Sequence, residues 1–206
     1  MKNENGFFGR YSYTMVRLFL NQFAIGLFGA VITLALSKIG GDDEALSDTV
    51  MIVASVFATL FYMFLTYTTI WTVGAKDRIS SDVGKLKAMP ARGLLISLFA
   101  NIPGIIIATV YAIGNFVSPG GMAQTAMRVA TLFLNGMYYG LLAGAPAGAA
   151  NEAKILNYWW MYFVIILPAI IVTGVGYWLG TRNFHLTKML EHQYPDSDRD
   201  IKSKKD

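Results

Sequence analysis

Four polar side chains, Asn101, Asn115, Arg128 and Asn135, stand inside or at the edge of long apolar runs. Amides in such a setting can exchange hydrogen bonds with a polar solute. An arginine near the mouth of a helix bundle can hold an anion or carboxylate. These four residues are therefore the candidate solute path. Gly136, Gly140 and Gly144 recur at steps of four, with Gly148 continuing the spacing. Small residues at that interval form a smooth groove into which another helix can settle, so they are the candidate helix-docking groove. The helix received there belongs either to this chain or to another subunit. Arg17 opens the first apolar run, where its side chain can snorkel to the headgroups.

Other chemistry is missing from this sequence. With zero cysteines there is no thiol nucleophile, thiolate metal site or disulfide framework. The two histidines, His185 and His192, both lie in the C-terminal stretch, so no His-x-x-x-His pair falls on an apolar segment. None of the 13 acidic residues interrupts an apolar run, which argues against a carboxylate proton relay in mid-membrane. There is no Gly-x-x-x-x-Gly-Lys-Ser/Thr loop for nucleotide. No catalytic, metal or cofactor residue is named, and a non-enzymatic protein without cofactor is expected.

The elements that must position the four polar residues follow from hydropathy. The chain is 54% hydrophobic and only 15% charged, against about a quarter charged in a soluble domain. Uncharged runs cover Leu18–Ser37, Thr49–Ala75, Gly93–Met127, Val129–Asn151 and Ile155–Thr181. Roughly 20 helical residues cross a bilayer core of about 30 Å, so each run is a candidate span. The expected fold class is all-α, a polytopic transmembrane helical bundle. Four full spans plus a short or re-entrant fourth segment at 129–145 are expected; five full spans are the alternative. The first run is too long for a signal-peptide core and is read as an uncleaved span.

Orientation comes from the basic residues. The loop 75–92 carries Lys76, Arg78, Lys85, Lys87 and Arg92, which assigns it to the cytoplasm, whereas 40–48 carries Asp42, Asp43, Glu44 and Asp48. A non-crossing fourth segment puts the C-terminal tail on the basic side as well. The net charge of +4 is thus a topology signal; no nucleic-acid partner is expected. Residues 1–181 form the membrane domain, with an aromatic lead-in at Gly6–Val16 and Ser47 or Asp48 as N-cap of the second span. Residues 182–206 form a charged, largely disordered cytoplasmic tail.

Each of the first three spans carries a polar or small stripe at helical spacing: Gln22, Gly26, Gly29, Thr33, Ser37; Ser55, Thr59, Tyr62, Thr66, Thr69; and Ser97, Asn101, Gly104, Ala108, Asn115. Steps of three and four place each set on one face, which must point inward. Pro103 and Pro168 sit mid-span, and each removes a backbone donor, so a kink is expected at both.

The runs Ala75-Lys-Asp-Arg-Ile and Ser97-Leu-Phe-Ala-Asn-Ile-Pro103, with Trp159-Trp160, Leu167-Pro168 and Gly176-Tyr-Trp-Leu-Gly180, resemble a group of small bacterial membrane proteins with no assigned activity. The resemblance covers most of the chain. It implies a multi-pass protein of the bacterial cytoplasmic membrane and adds no catalytic residue. The functional expectation is a non-enzymatic membrane subunit that binds or helps translocate a small solute. Its partners are the lipid bilayer and another membrane protein or a second copy of itself. The alternative is an accessory scaffold whose helices dock another membrane complex.

Overall fold

The computed structural model describes residues 6–38, 44–86, 89, 91–145 and 155–182. All but the first residue of the tail expected at 182–206, and the fourth glycine of the groove, Gly148, lie outside the described residues. Among those described, the chain is helical without strands. Helix α1 spans Phe7–Leu36 and α2 spans Glu44–Asp82. Helices α3 (Arg92–Ala100) and α4 (Ile102–Val117) form a bent pair, and α5 (Met122–Asn135) leads through a 3-10 turn at Gly136–Tyr138 into α6 (Tyr139–Gly144). A second 3-10 turn, Ile155–Asn157, precedes α7 (Met161–Val164) and α8 (Leu167–Thr181).

Three segments are long and apolar enough to cross a membrane: Phe7–Leu36, Ala45–Asp82 and Met161–Thr181. The α3–α4 pair, bent by 57°, makes a fourth if counted as one span. Several expected boundaries shift. The aromatic lead-in is continuous with the first span, because no breaker separates Phe7 from Leu36 and Tyr11, Thr14, Met15 and Leu18 are buried along one face. Helix α2 begins at Glu44, upstream of the N-caps expected at Ser47 or Asp48, and the Ser47 hydroxyl instead donates to the Ser37 carbonyl at 2.9 Å. At its other end α2 runs on to Asp82, so Lys76, Asp77 and Arg78 are helical and no loop begins at Ala75.

Both prolines fall in the first turn of a new helix, where the missing N–H is tolerated. The α3–α4 break falls at Asn101, two residues before Pro103. Pro103 cannot donate to the carbonyl four residues earlier, and its ring crowds that turn. The Asn101 side chain bridges the break by donating from Nδ2 to the Ser97 carbonyl at 2.9 Å.

Side-chain pairs fix the directions. Arg10 meets Asp77 and Ser37 meets Ser47, so α1 and α2 are antiparallel. Gly176 packs on Tyr67 and Ile70, while Gly180 packs on Trp71 and Gly74, so α8 runs parallel to α2. The start of α1 and the ends of α2 and α8 therefore share one end of the bundle with the start of α3. We call it the basic end, because Arg10, Lys76, Arg78, Arg92 and Arg182 are there.

The segment α5–α6 enters and leaves by the opposite end. Gln124 bonds Asn115 and Arg128 bonds Tyr111, so α5 descends alongside α4. At the bottom, Asn135 meets Gln22 of α1, and the Met137 carbonyl accepts the hydroxyls of Ser55 and Thr59 on α2. The chain then climbs back along α2, with Gly140 on the backbone of Met51 and Gly144 2.9 Å (to an added Cβ) from the Asp48 carbonyl. Its turn sits near the middle of both long helices.

Candidate functional site

The side chains with the densest polar chemistry meet at the basic end, around Asp77. Ile70, Gly74 and Asp77 follow one another at helical spacing on α2 and face α8. Gly74 and Gly93 leave room for the α8 backbone and the Tyr177 ring, where an added Cβ would collide. Tyr177 thus lies between α2 and α3 with its phenol directed at Asp77. Helix α1 brings Arg10 and Tyr11 from the other side, and the first residue of α3 is Arg92.

Asp77 is 4% exposed and fully engaged. Its Oδ2 accepts the hydroxyls of Tyr11 at 2.6 Å and Tyr177 at 2.8 Å. Oδ1 accepts Arg10 Nη2 at 3.0 Å, and that nitrogen also donates to Ser80 Oγ at 3.0 Å. Arg92 Nη1 stands 3.7 Å from Oδ2, and the Arg92 guanidinium also lies over the Tyr11 ring at 5.9 Å. A lone buried carboxylate carries a penalty of several kcal/mol, which these partners offset. Arg10 and Arg92 thus share this one carboxylate.

Beside this cluster is a cavity of about 320 Å³ lined by residues that include Asp77, Arg78, Ser81, Asp82, Arg92 and Thr181. Arg78 and Asp82 pair at 3.7 Å and are both exposed, so they neutralise one another weakly. Arg92 is the buried cation of the wall, its side chain only 10% exposed. The arrangement can hold a small anionic group through a guanidinium in a low-dielectric setting, with the Ser81 and Thr181 hydroxyls on the same wall.

The four residues of the expected solute path do not converge. Asn135 Oδ1 accepts Gln22 Nε2 at 2.7 Å in the buried middle of the bundle. Asn115 Oδ1 accepts Gln124 Nε2 at 3.1 Å near the far end. Arg128 donates to the Tyr111 hydroxyl and, at 3.2 Å, to Asn157 Oδ1. Tyr111 is stacked on Tyr162 with ring centres 3.9 Å apart. Asn101 is buried, and its Oδ1 has no hydrogen-bond partner. Asn115 and Arg128 thus brace the α4–α5 contact on successive turns, Asn135 ties the hairpin to α1, and Asn101 bridges the α3–α4 break. The glycine groove is filled from within: Gly136 lies on Gly26 and Ala30, Gly140 on Met51 and Ser55, and Gly144 on Asp48 and Ile52.

Sequence reasoning missed Asp77 because it sits between Lys76 and Arg78 and reads as loop charge. The available signal was its register, seven residues after Ile70 on the face that Gly74 continues. Comparison with protein-family models, curated proteins and solved structures finds no match to this chain.

Proposed function

We propose that this chain is a multi-pass protein of the bacterial cytoplasmic membrane, its basic end in the cytoplasm, that binds a small anionic solute at the cavity beside Asp77 as a non-enzymatic subunit. The observation that carries the reading is a guanidinium on a cavity wall: Arg92, ion-paired with Asp77 at 3.7 Å, lines the cavity and shares that carboxylate with Arg10. Membrane placement is supported by the long apolar helices and by the gathering of basic residues at one end. In that setting α1, α2, the α3–α4 pair and α7–α8 cross, and α5–α6 is a re-entrant hairpin whose polar groups are matched inside the bundle, as irregular backbone at membrane depth must be. The sequence has no nucleotide loop and no carboxylate within its apolar runs, so energy for transport would come from a partner.

The test is ligand-induced stabilisation of the detergent-solubilised chain. Inorganic phosphate and succinate are compared with chloride at equal ionic strength. A rise in Tm that saturates, and that Arg92→Gln removes, supports the site. Equal response in the parent and Arg92→Gln proteins rules it out. Purification in mild detergent with mass spectrometry of bound proteins tests the subunit role; a self-associated protein without another component overturns it.

A further inference from the structure

A second concave surface lies on the outer side of the α3–α8 contact. It is an apolar groove of about 450 Å³ lined by Ala91, Leu94, Ile171, Gly174, Val175 and Trp178. At Gly174 the Leu94 side chain packs onto α8 in the space an added Cβ would take. It shares no lining residue with the cavity beside Asp77. Leu94, Ile171, Val175 and Trp178 are exposed, on a face where α3 and α8 present only apolar side chains.

What marks the groove from the surrounding apolar surface is its mouth. Trp178 closes the end nearest the basic end of the bundle, and the Arg182 guanidinium lies over its ring at 4.2 Å. A cation fixed on an indole, one turn beyond an apolar trough, puts a positive charge where a hydrocarbon chain would leave the trough for water. Tryptophan and arginine both favour that depth. We propose that this groove binds an anionic phospholipid of the surrounding bilayer, one acyl chain lying against Leu94, Gly174 and Val175 and the phosphate paired with Arg182. Charge complementarity selects an anionic headgroup, since a zwitterionic one would bring its own cation beside Arg182. The inference rests on the membrane placement proposed above and is independent of the solute cavity.

The full chain is reconstituted in nanodiscs of phosphatidylcholine with a minor fraction of phosphatidylglycerol. It is then extracted in mild detergent, and retained lipid is counted by native mass spectrometry. The expected result is selective retention of phosphatidylglycerol by the parent protein. Arg182→Gln retains it about fivefold less, the scale of one basic residue at an anionic surface. Gly174→Leu, which fills the trough, retains little of either lipid, and Lys76→Gln, at the same end but off the groove, behaves as the parent. Arg182 is exposed at a helix end, so its replacement leaves the fold intact even if Gly174→Leu does not fold. Equal retention of the two lipids, or equal losses for Lys76→Gln and Arg182→Gln, overturns the site. Failure of the chain to enter nanodiscs would overturn the membrane placement instead, and a lipid result leaves the Arg92 cavity unaffected.

Discussion

The phenol of Tyr11 donates to Asp77 Oδ2 at 2.6 Å, joining the first turns of α1 to the end of α2 across 66 positions of sequence. Tyr177 donates to the same oxygen from 100 positions away on α8. One carboxylate thus ties three helices, with Arg92 adding the start of α3. Removing it leaves two arginines without their anion, so Asp77→Ala should cost about 3–5 kcal/mol. Tyr177→Phe removes one hydrogen bond and should cost about 1–3 kcal/mol. Arg10 is a third exposed, and Arg10→Gln should cost under about 1 kcal/mol. Denaturation of the purified variants in detergent measures the order, and an Arg10→Gln effect larger than that of Asp77→Ala would contradict the geometry.

The mid-bundle pair Gln22–Asn135 holds the turn of the α5–α6 hairpin to α1. Interhelical hydrogen bonds of this kind are worth about 0.6–2 kcal/mol in membranes. Gln22→Leu and Asn135→Leu should each destabilise, and the double variant should cost less than the two singles added. A double-mutant cycle on unfolding free energies reads this directly; strict additivity would mean the bond contributes nothing.

Glycine substitutions should separate by what a methyl group would meet. At Gly136 and Gly140 it meets backbone of α1 and α2, which cannot step aside, whereas at Gly104 the nearest atom is a side-chain carbon of Ile166 at 3.6 Å. Gly140→Ala and Gly136→Ala should each cost roughly 1–3 kcal/mol through overpacking, and Gly104→Ala less than about 1 kcal/mol. Thermal shifts of the three variants would settle the ranking.

The absence of cysteine makes topology directly measurable. A single cysteine at Met122, which is 92% exposed at the start of α5, should react with a membrane-impermeant maleimide in intact cells. Cysteines at Val83 and Ser197 should react only after permeabilisation. External labelling at Ser197 would mean that 129–145 crosses the membrane and that the five-span arrangement applies.

The inward faces were legible because helical periodicity is a local property. Gln22, Gly26, Gly29 and Thr33 on α1, and Ser55, Thr59, Tyr62, Thr66 and Thr69 on α2, are buried, as their spacing required. The bend near Pro103 was legible too, since a missing N–H interrupts a helix, whereas Met161–Thr181 with Pro168 counts as one span without a sharp bend. Hydropathy could not say whether Val129–Ala145 crosses or turns back. That depends on Asn135 finding Gln22 and on the Met137 carbonyl finding Ser55, partners more than 80 positions distant.

The sequence alone determined that the chain is helical, which segments are apolar enough to cross a membrane, and which helix faces turn inward. Each follows from side-chain chemistry repeated over neighbouring turns. Tertiary structure alone decided where the polar groups spend their hydrogen bonds. It placed Asn115 and Arg128 at the α4–α5 contact, Asn135 against α1 and Asn101 at the α3–α4 break, and drew Arg10, Tyr11, Arg92 and Tyr177 around Asp77. The physical reason is that a buried charge or amide is satisfied by whichever complementary group packing brings within about 3 Å, and that distance bears no relation to separation along the chain.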